Sequence, residues 1–322
     1  MMMKLKHAVL TALTLALTGS VFAGAVQAEE LKLAVGQRGA WDTSISEMAS
    51  RSGIFKKHGL DVQILYTQGG AETQQAVMSR SVDIGVAVGT LGALGVAAKG
   101  APLRIIGGEA TGFGELYWYV PIASPIKTLA DMAGHTVGYS TAGSSSHTPL
   151  LLMAKENKIE LKPTATGGLA PTLTQTMSSQ VDVGWAVAPF GLDQLDKTIR
   201  IVGRGADVVS AKQQTTRVLI THAATLGEKK ATIDKFLDAY RETIDWMYSS
   251  PDAIKTFADF AGISEAATKR TRDEFFTKAA LDPGTVSGLP QLMADGVQFK
   301  FLSAPLSDEQ LGQIIQIGRK AQ

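Results

Sequence analysis

The segment Ser140–His147 reads Ser-Thr-Ala-Gly-Ser-Ser-Ser-His and concentrates short hydroxyl side chains around one glycine. Hydroxyl and backbone N–H groups ahead of a helix can donate hydrogen bonds to an oxyanion, and glycine permits close approach to the backbone. We therefore predict ligand contacts at Thr141, Ser144 and Ser145. The alternative is that these residues only cap the helix that follows.

Ser144 and His147 are also residue types that a hydrolase uses as nucleophile and base. A nucleophilic serine needs an acidic residue behind its base, and the chain contains no Gly-x-Ser-x-Gly motif. None of the five histidines pairs with another at metal-ligand spacing, and no dinucleotide or phosphate-loop motif occurs. Gly89, Gly92 and Gly95 indicate a closely packed helix rather than a cofactor loop. We predict no catalytic residue, metal or cofactor.

Further candidate contacts lie where predicted strands end, because ligands of open parallel sheets bind beyond those ends. Trp41 lies in the loop after the first strand, and Gln68 and Thr90 follow the next two strands. Gly69 and Gly70 form the turn before a helix, so we also predict contacts there. Trp185 is expected to form a wall of the pocket. The alternative for Trp41 is packing under a neighbouring loop, and the alternative for Trp185 is that it only fills core space.

An internal repeat organises the elements that carry these residues. Thr67–Val88 aligns without a gap with Thr166–Val187, and eleven of the 22 positions are identical. Each copy has the pattern of a strand end, a glycine turn, a helix, a tight turn at aspartate and a second strand. We therefore predict two related lobes.

Strands that alternate with helices predict an α/β fold in which each lobe contains a parallel sheet. We assign residues 29–120 and 215–322 to lobe I, whose last part is mostly helical, and residues 121–214 to lobe II. A hinge near the two crossings would leave a cleft between the lobes. Helix N-termini that face this cleft would attract an anion.

Residues 1–28 have the pattern of a secretory signal peptide, with Lys4 and Lys6 before an apolar run and Val26-Gln27-Ala28 at its end. We expect cleavage after Ala28 and export to the periplasm, a retained membrane anchor being the alternative. The absence of cysteine among 322 residues excludes disulfides and a lipid-modified cysteine anchor. With 31 basic and 30 acidic residues, the charge balance gives no basis for binding nucleic acid.

The sequence resembles the periplasmic binding components of nitrate, sulfonate and taurine ABC importers, which are related to pyrimidine-precursor binding and synthesis proteins. The motifs that carry the resemblance are Gly53-Ile54-Phe55, Gly59-Leu60-Asp61-Val62, Gln68-Gly69-Gly70, Ser81-Val82-Asp83-Ile84-Gly85, Ser124–Gly138 and Gly143-Ser144-Ser145-Ser146-His147. They cover residues 31 to about 190, and the C-terminal third is similar only in its helical character.

The resemblance implies a type II periplasmic binding protein fold, or Venus flytrap, that performs no catalysis. It places Gly143, Ser144, Ser145 and His147 at the ligand. It also implies a small anionic ligand and delivery to an inner-membrane permease with its ATPase, and we expect a monomer. Trp41, with Trp118 and Trp185, would suit a larger or aromatic carboxylate or sulfonate. Two alternatives stay open: an enzyme in the same cleft, such as a pyrimidine-synthesis homologue, and a binding protein that presents its ligand to a sensor.

Overall fold

A computed structural model of the protein describes residues 28–317. All of the predicted signal peptide except Ala28 lies outside the described residues. Within residues 28–317 no helix is both long enough and apolar enough to cross a membrane.

The described residues form strands and helices that alternate through the first two thirds of the chain. The strands are β1 Glu29–Gly36, β2 Leu60–Thr67, β3 Ile84–Gly89, β4 Leu103–Thr111, β5 Leu116–Pro121, β6 Thr136–Tyr139, β7 Lys162–Ala165, β8 Gly184–Val187, β9 Ile199–Arg204 and β10 Thr215–His222. The helices are α1 Ile45–Arg51, α2 Ile54–Lys57, α3 Gly70–Met78, α4 Thr90–Ala98, α5 His147–Asn157, α6 Leu169–Met177, α7 Ala223–Glu228, α8 Lys230–Ser249, α9 Pro251–Ala261, α10 Glu265–Phe275, α11 Leu289–Gln298 and α12 Asp308–Ile314.

Lobe I is built on a five-stranded sheet in the order β2-β1-β3-β10-β4. β1 pairs in parallel with both β2 and β3, whereas β10 runs antiparallel to β3 and β4. Lobe II has the same arrangement in two pieces, β8-β5-β9 and β6-β7, which a parallel bridge between Val137 and Val183 connects. The predicted α/β fold is confirmed. Both lobes contain parallel pairs, as expected, but the sheets are mixed, because in each lobe one strand arrives from the other lobe and inserts antiparallel.

The sequence repeat corresponds to the same hydrogen-bonded unit in each lobe. The hydroxyl of Thr73 lies 2.6 Å from that of Thr67, and the hydroxyl of Thr172 lies 2.7 Å from that of Thr166. Both helical threonines also donate to the carbonyl of the glycine that precedes their helix, Gly69 or Gly168. These bonds fix each helix N-terminus against the end of the preceding strand.

The lobe boundary lies earlier than the sequence analysis placed it. We assigned residues up to 120 to lobe I, but β5 pairs with β8 and β9 and is therefore part of the lobe II sheet. Its aromatic run is completely buried there, and Trp118 donates through its indole nitrogen to the carbonyl oxygen of Gly138 at 3.0 Å. A buried aromatic strand can pair with either sheet, so its sequence alone did not settle the lobe.

Helices of the C-terminal third pack on helices of lobe I. α8 packs on α1 and α2, whereas α11 and α12 pack on α4. The segment from Ser124 to Gly134 forms only a short 3-10 turn, at Ala130–Met132. The carboxylate of Asp131 accepts bonds from the backbone N–H groups of Lys127 and Thr128, which favours a turn over a continued helix.

Candidate functional site

A narrow cleft lies between the two lobes, at the carboxyl ends of the strands. Lobe I contributes Gly36, Gln37, Ala40, Thr43, Gly69, Gly70, Ala87 and Arg217 to its lining. Lobe II contributes Ser140, Ser144, Ser145, Ser146, Trp185 and Val187. A larger groove on the outer face of α7 and α8 includes Ile317, the last described residue, in its lining. That groove is an open surface feature of lobe I alone, so we regard the cleft as the candidate site.

The predicted serine loop forms one wall of the cleft and holds itself together by hydrogen bonds. The Ser146 hydroxyl accepts from the backbone N–H of Ser140 at 2.9 Å and lies 3.0 Å from the hydroxyl of Ser144. The Ser144 hydroxyl also accepts from the backbone N–H of His147, in the first turn of α5. The capping alternative is thus realised for Ser144, while Ser145 points to the opposite lobe.

The start of α3 in lobe I approaches the serine loop of lobe II across the cleft. Gly69 and Gly70 begin α3 in lobe I, and a side chain at Gly69 would place its Cβ 3.2 Å from the Ser140 hydroxyl and 3.3 Å from the Thr141 hydroxyl of lobe II. The Thr141 hydroxyl oxygen is buried and has no hydrogen-bond partner among residues 28–317. The first N–H groups of a helix have no partner within that helix, so the start of α3 together with the Thr141 hydroxyl suits a ligand that accepts hydrogen bonds.

Arg217 is the charged residue of the cleft lining, and the sequence analysis missed it. It lies on β10 with only 3% of its side chain exposed, and its Nε donates to the hydroxyl of Ser145 across the cleft at 3.0 Å. It also forms ion pairs with Asp42 and Glu115. Burial lowers the pKa of Arg217 to about 9, so the guanidinium stays charged at neutral pH.

A signal for Arg217 was present in the sequence. The run Val218-Leu219-Ile220 predicts a buried strand, and a charged residue at the start of such a strand requires a buried partner or a ligand. Its carboxylate partners, Asp42 and Glu115, lie more than one hundred residues away in the chain, so the cluster itself was not predictable from local spacing.

The remaining predicted contacts divide between the cleft and its surroundings. Trp185 lines the cleft and donates through its indole nitrogen to the hydroxyl of Thr166 at 3.1 Å. The Gln68 side chain lies against Gly168, where the two lobes approach each other at the rim. Thr90 lies outside the lining because its buried hydroxyl donates to the carbonyl of Thr215 at 2.7 Å.

Trp41 lies in the core of lobe I and not in the cleft, contrary to its prediction as a ligand contact. It is completely buried, its indole nitrogen donates to the Tyr248 hydroxyl at 3.2 Å, and its ring centroid is 4.9 Å from that of Phe257. The helices that cover it, α8 and α9, come from the C-terminal third. A sequence more than two hundred residues away therefore decides the position of this tryptophan.

His147 lies behind the serine loop and outside the cleft lining. Its ring stacks on Tyr139 with centroids 4.1 Å apart, and its Nδ1 accepts from the backbone N–H of Gly143 at 3.2 Å. Burial lowers the pKa of His147 to about 4, so the ring is neutral at physiological pH. His147 was predicted as a direct ligand contact, but it does not line the cleft. Instead, its ring holds the backbone of Gly143 in place.

Comparison with proteins of known sequence and structure agrees with this architecture. A 156-residue stretch is 30% identical to a candidate binding protein of Brucella abortus (strain 2308), covering 48% of this chain and 43% of that relative. The chain thus aligns with less than half the length of this curated relative.

Two solved structures share the fold at low identity. The alkanesulfonate-binding protein SsuA from Xanthomonas axonopodis pv. citri, bound to MOPS, aligns with a TM-score of 0.68 and 18% identity over 84% of this chain and 90% of its own. A Candida albicans protein described as having the generic periplasmic binding protein fold aligns with a TM-score of 0.71 and 14% identity over 91% and 98%.

The predicted Venus flytrap fold and the family resemblance are both confirmed by these comparisons. A profile described as NMT1/THI5 like matches residues 45–254, which include the serine loop, Arg217 and both copies of the repeat. Because this match covers more than half of the chain, the protein belongs to the NMT1/THI5-like family.

Proposed function

We propose that this protein is the solute-binding component of an ABC importer and captures a small molecule with an anionic group between its two lobes. The observation that carries the proposal is the bond from Arg217 of lobe I to Ser145 of lobe II, in the same cleft lining as the start of α3. A ligand oxygen here would accept hydrogen bonds from both lobes at once.

The mechanism follows from this bridging geometry. A ligand that enters an open cleft meets one set of donors, and closure brings the second set to it. Because the ligand then binds the closed state more tightly than the open state, it shifts the population towards closure. The hydroxyl of Thr141 and the N–H groups before α3 are the donors that such a ligand would engage.

The same proposal includes the partners and the location of the protein. A closed, ligand-bound form would dock on an inner-membrane permease driven by an ATPase, with the binding protein free in the periplasm as a monomer. The fold shared with SsuA and the signal-peptide pattern of residues 1–28 support this assignment. The neutral His147, whose Nδ1 is used by Gly143, gives no support to the enzyme alternative.

A thermal-shift screen of the purified, ligand-stripped protein tests the proposal. The panel contains alkyl sulfonates, amino sulfonates, nitrate, aliphatic and aromatic carboxylates, and pyrimidines. A ligand at 100 times its dissociation constant adds about 2.7 kcal/mol to the free energy of unfolding, so we expect a clear rise in melting temperature.

Mass spectrometry of the bound compound after incubation completes the test. A binding protein returns its ligand unchanged, whereas conversion of the compound would establish an enzyme instead. If no compound of the panel raises the melting temperature, the proposed ligand class is wrong.

A further inference from the structure

Residues 289–302, which we call the strap, comprise α11 and the turn that follows it. The strap is anchored to lobe I, because α11 packs on α4 and a Cβ at Gly95 of α4 would lie only 2.8 Å from the carbonyl oxygen of Phe301. Packed backbone segments this close cannot slide past each other without strain. We therefore expect the strap to move together with lobe I.

The other side of the strap contacts α5 of lobe II through one lysine. Lys155 of α5 donates through its Nζ to the side-chain oxygen of Gln298 at 2.5 Å, and the same Nζ lies 3.6 Å from a carboxyl oxygen of Asp295. It is also 5.9 Å from the ring centroid of Phe299, within the range of a cation–π contact. Separation of α5 from the strap would break all three contacts, and hydrogen bonds from a charged donor are among the stronger ones.

Asp295 connects this contact to the places where the chain crosses between the lobes. Its side chain is completely buried, and its carboxyl oxygens accept from the side-chain nitrogens of Gln291 and Gln214, each at 3.0 Å. Gln214 directly precedes β10, and its carbonyl oxygen accepts from the N–H of Gly112 at 2.9 Å, in the segment that leads to β5. Both crossings therefore belong to the same hydrogen-bonded network as Lys155.

The strap also reaches the serine loop from behind. The ring of Phe301 meets that of His147 edge to face, with centroids 5.9 Å apart, and a Cβ at Gly143 would lie 3.6 Å from the Phe301 ring. No strap residue is among the described residues that line the cleft. The strap thus supports one wall of the cleft without a place in the lining.

We propose that the strap holds the two lobes together in their closed arrangement and that Lys155 is the residue of lobe II through which it acts. The contacts of Lys155 with Gln298, Asp295 and Phe299 stabilise the closed state, so they raise its population in the ligand-free protein. Because the strap lies outside the cleft lining, it strengthens the binding of every ligand by the same factor. Its role goes beyond the proposed function, since it does not depend on which ligand binds.

Scattering by the ligand-free protein tests this role. Lys155→Met removes the ammonium group and keeps an unbranched apolar side chain at a position that is 41% exposed, so the variant should fold. We expect a larger radius of gyration by small-angle X-ray scattering than for wild type. In the double variant Lys155→Gln with Gln298→Lys, donor and acceptor exchange places, which should return the radius towards the wild-type value. The matched control is Lys255→Met, because Lys255 pairs with Asp259 within α9 alone.

Ligand affinities separate this role from a direct contact with the ligand. Calorimetry with any two compounds of the screening panel that bind should show the same weakening in Lys155→Met, about fivefold, so that their affinity ratio is unchanged. Unequal weakening, no weakening, or a radius of gyration no larger than that of wild type would overturn the inference while leaving the proposed function intact. If no panel compound binds the wild-type protein, the proposed function fails, and the scattering comparison still decides the role of the strap.

Discussion

Burial shifts the pKa of several side chains of this protein, and Glu109 is a clear example. It is 1% exposed, and neither carboxylate oxygen has a hydrogen-bond partner within residues 28–317. Burial raises its pKa from 4.5 to about 8, so the folded protein retains a proton that the unfolded chain releases. The contribution of Glu109 to the free energy of unfolding should therefore fall as the pH rises from about 4.5 to 8.

Replacing this carboxyl group removes that pH dependence. We expect Glu109→Gln to be more stable relative to wild type at pH 8 than at pH 5, because the amide cannot ionise. Urea denaturation at the two pH values measures the difference. The matched control is Glu160→Gln, an exposed glutamate of lobe II, which should follow the wild-type pH profile. Parallel profiles for Glu109→Gln and wild type would contradict the assignment.

At the residue scale, the sequence predicted the cleft residues whose positions depend on neighbouring residues. It did not predict those whose positions depend on residues far away in the chain. Ser144, Ser145 and Gly69 are in the cleft because a strand end and a helix start, both visible in the sequence, position them. Trp41 is not, because helices from the C-terminal third cover it. The role of Arg217 depends on Asp42 and Glu115, which no spacing rule connects to it.

At the element scale, α4 has one glycine that packs against lobe II and another that packs within lobe I. A Cβ at Gly92 would lie 2.6 Å from the carbonyl oxygen of Gly143 in lobe II, and a Cβ at Gly95 would lie 2.8 Å from the carbonyl oxygen of Phe301. Both contacts are with backbone, which cannot rotate away. The sequence-based expectation of a closely packed helix is confirmed, but the surface that Gly92 packs against belongs to the other lobe.

Gly92→Ala should therefore keep the lobes apart. Alanine normally stabilises a helix relative to glycine by up to about 1 kcal/mol, yet here its methyl group collides with Gly143 in the closed state. We expect weaker ligand binding and a larger radius of gyration by small-angle X-ray scattering in the presence of ligand. Gly227→Ala in α7 is the matched control, since its Cβ would meet nothing within 4 Å. Identical affinity and size for the two variants would show that this contact does not limit closure.

At the scale of the whole molecule, each lobe contains a strand contributed by the crossing chain. β5 enters the lobe II sheet and β10 enters the lobe I sheet, so the connection between the lobes passes through both sheets. The repeat predicted two related lobes, and the matching strand orders agree with it. The exact crossing points were not predictable, because the aromatic pattern of β5 suits burial in either sheet.

The central claim is that the lobes close on a ligand, and a distance between them tests it most directly. The chain contains no cysteine, so Asp61→Cys on β2 and Lys162→Cys on β7, both exposed positions, provide two unique sites for spin labels. Pulsed electron paramagnetic resonance then measures the distance between the labels with and without a ligand from the thermal-shift screen. We expect saturating ligand to shift the distribution towards one narrow, short distance. An unchanged distribution at full occupancy would contradict capture between the lobes.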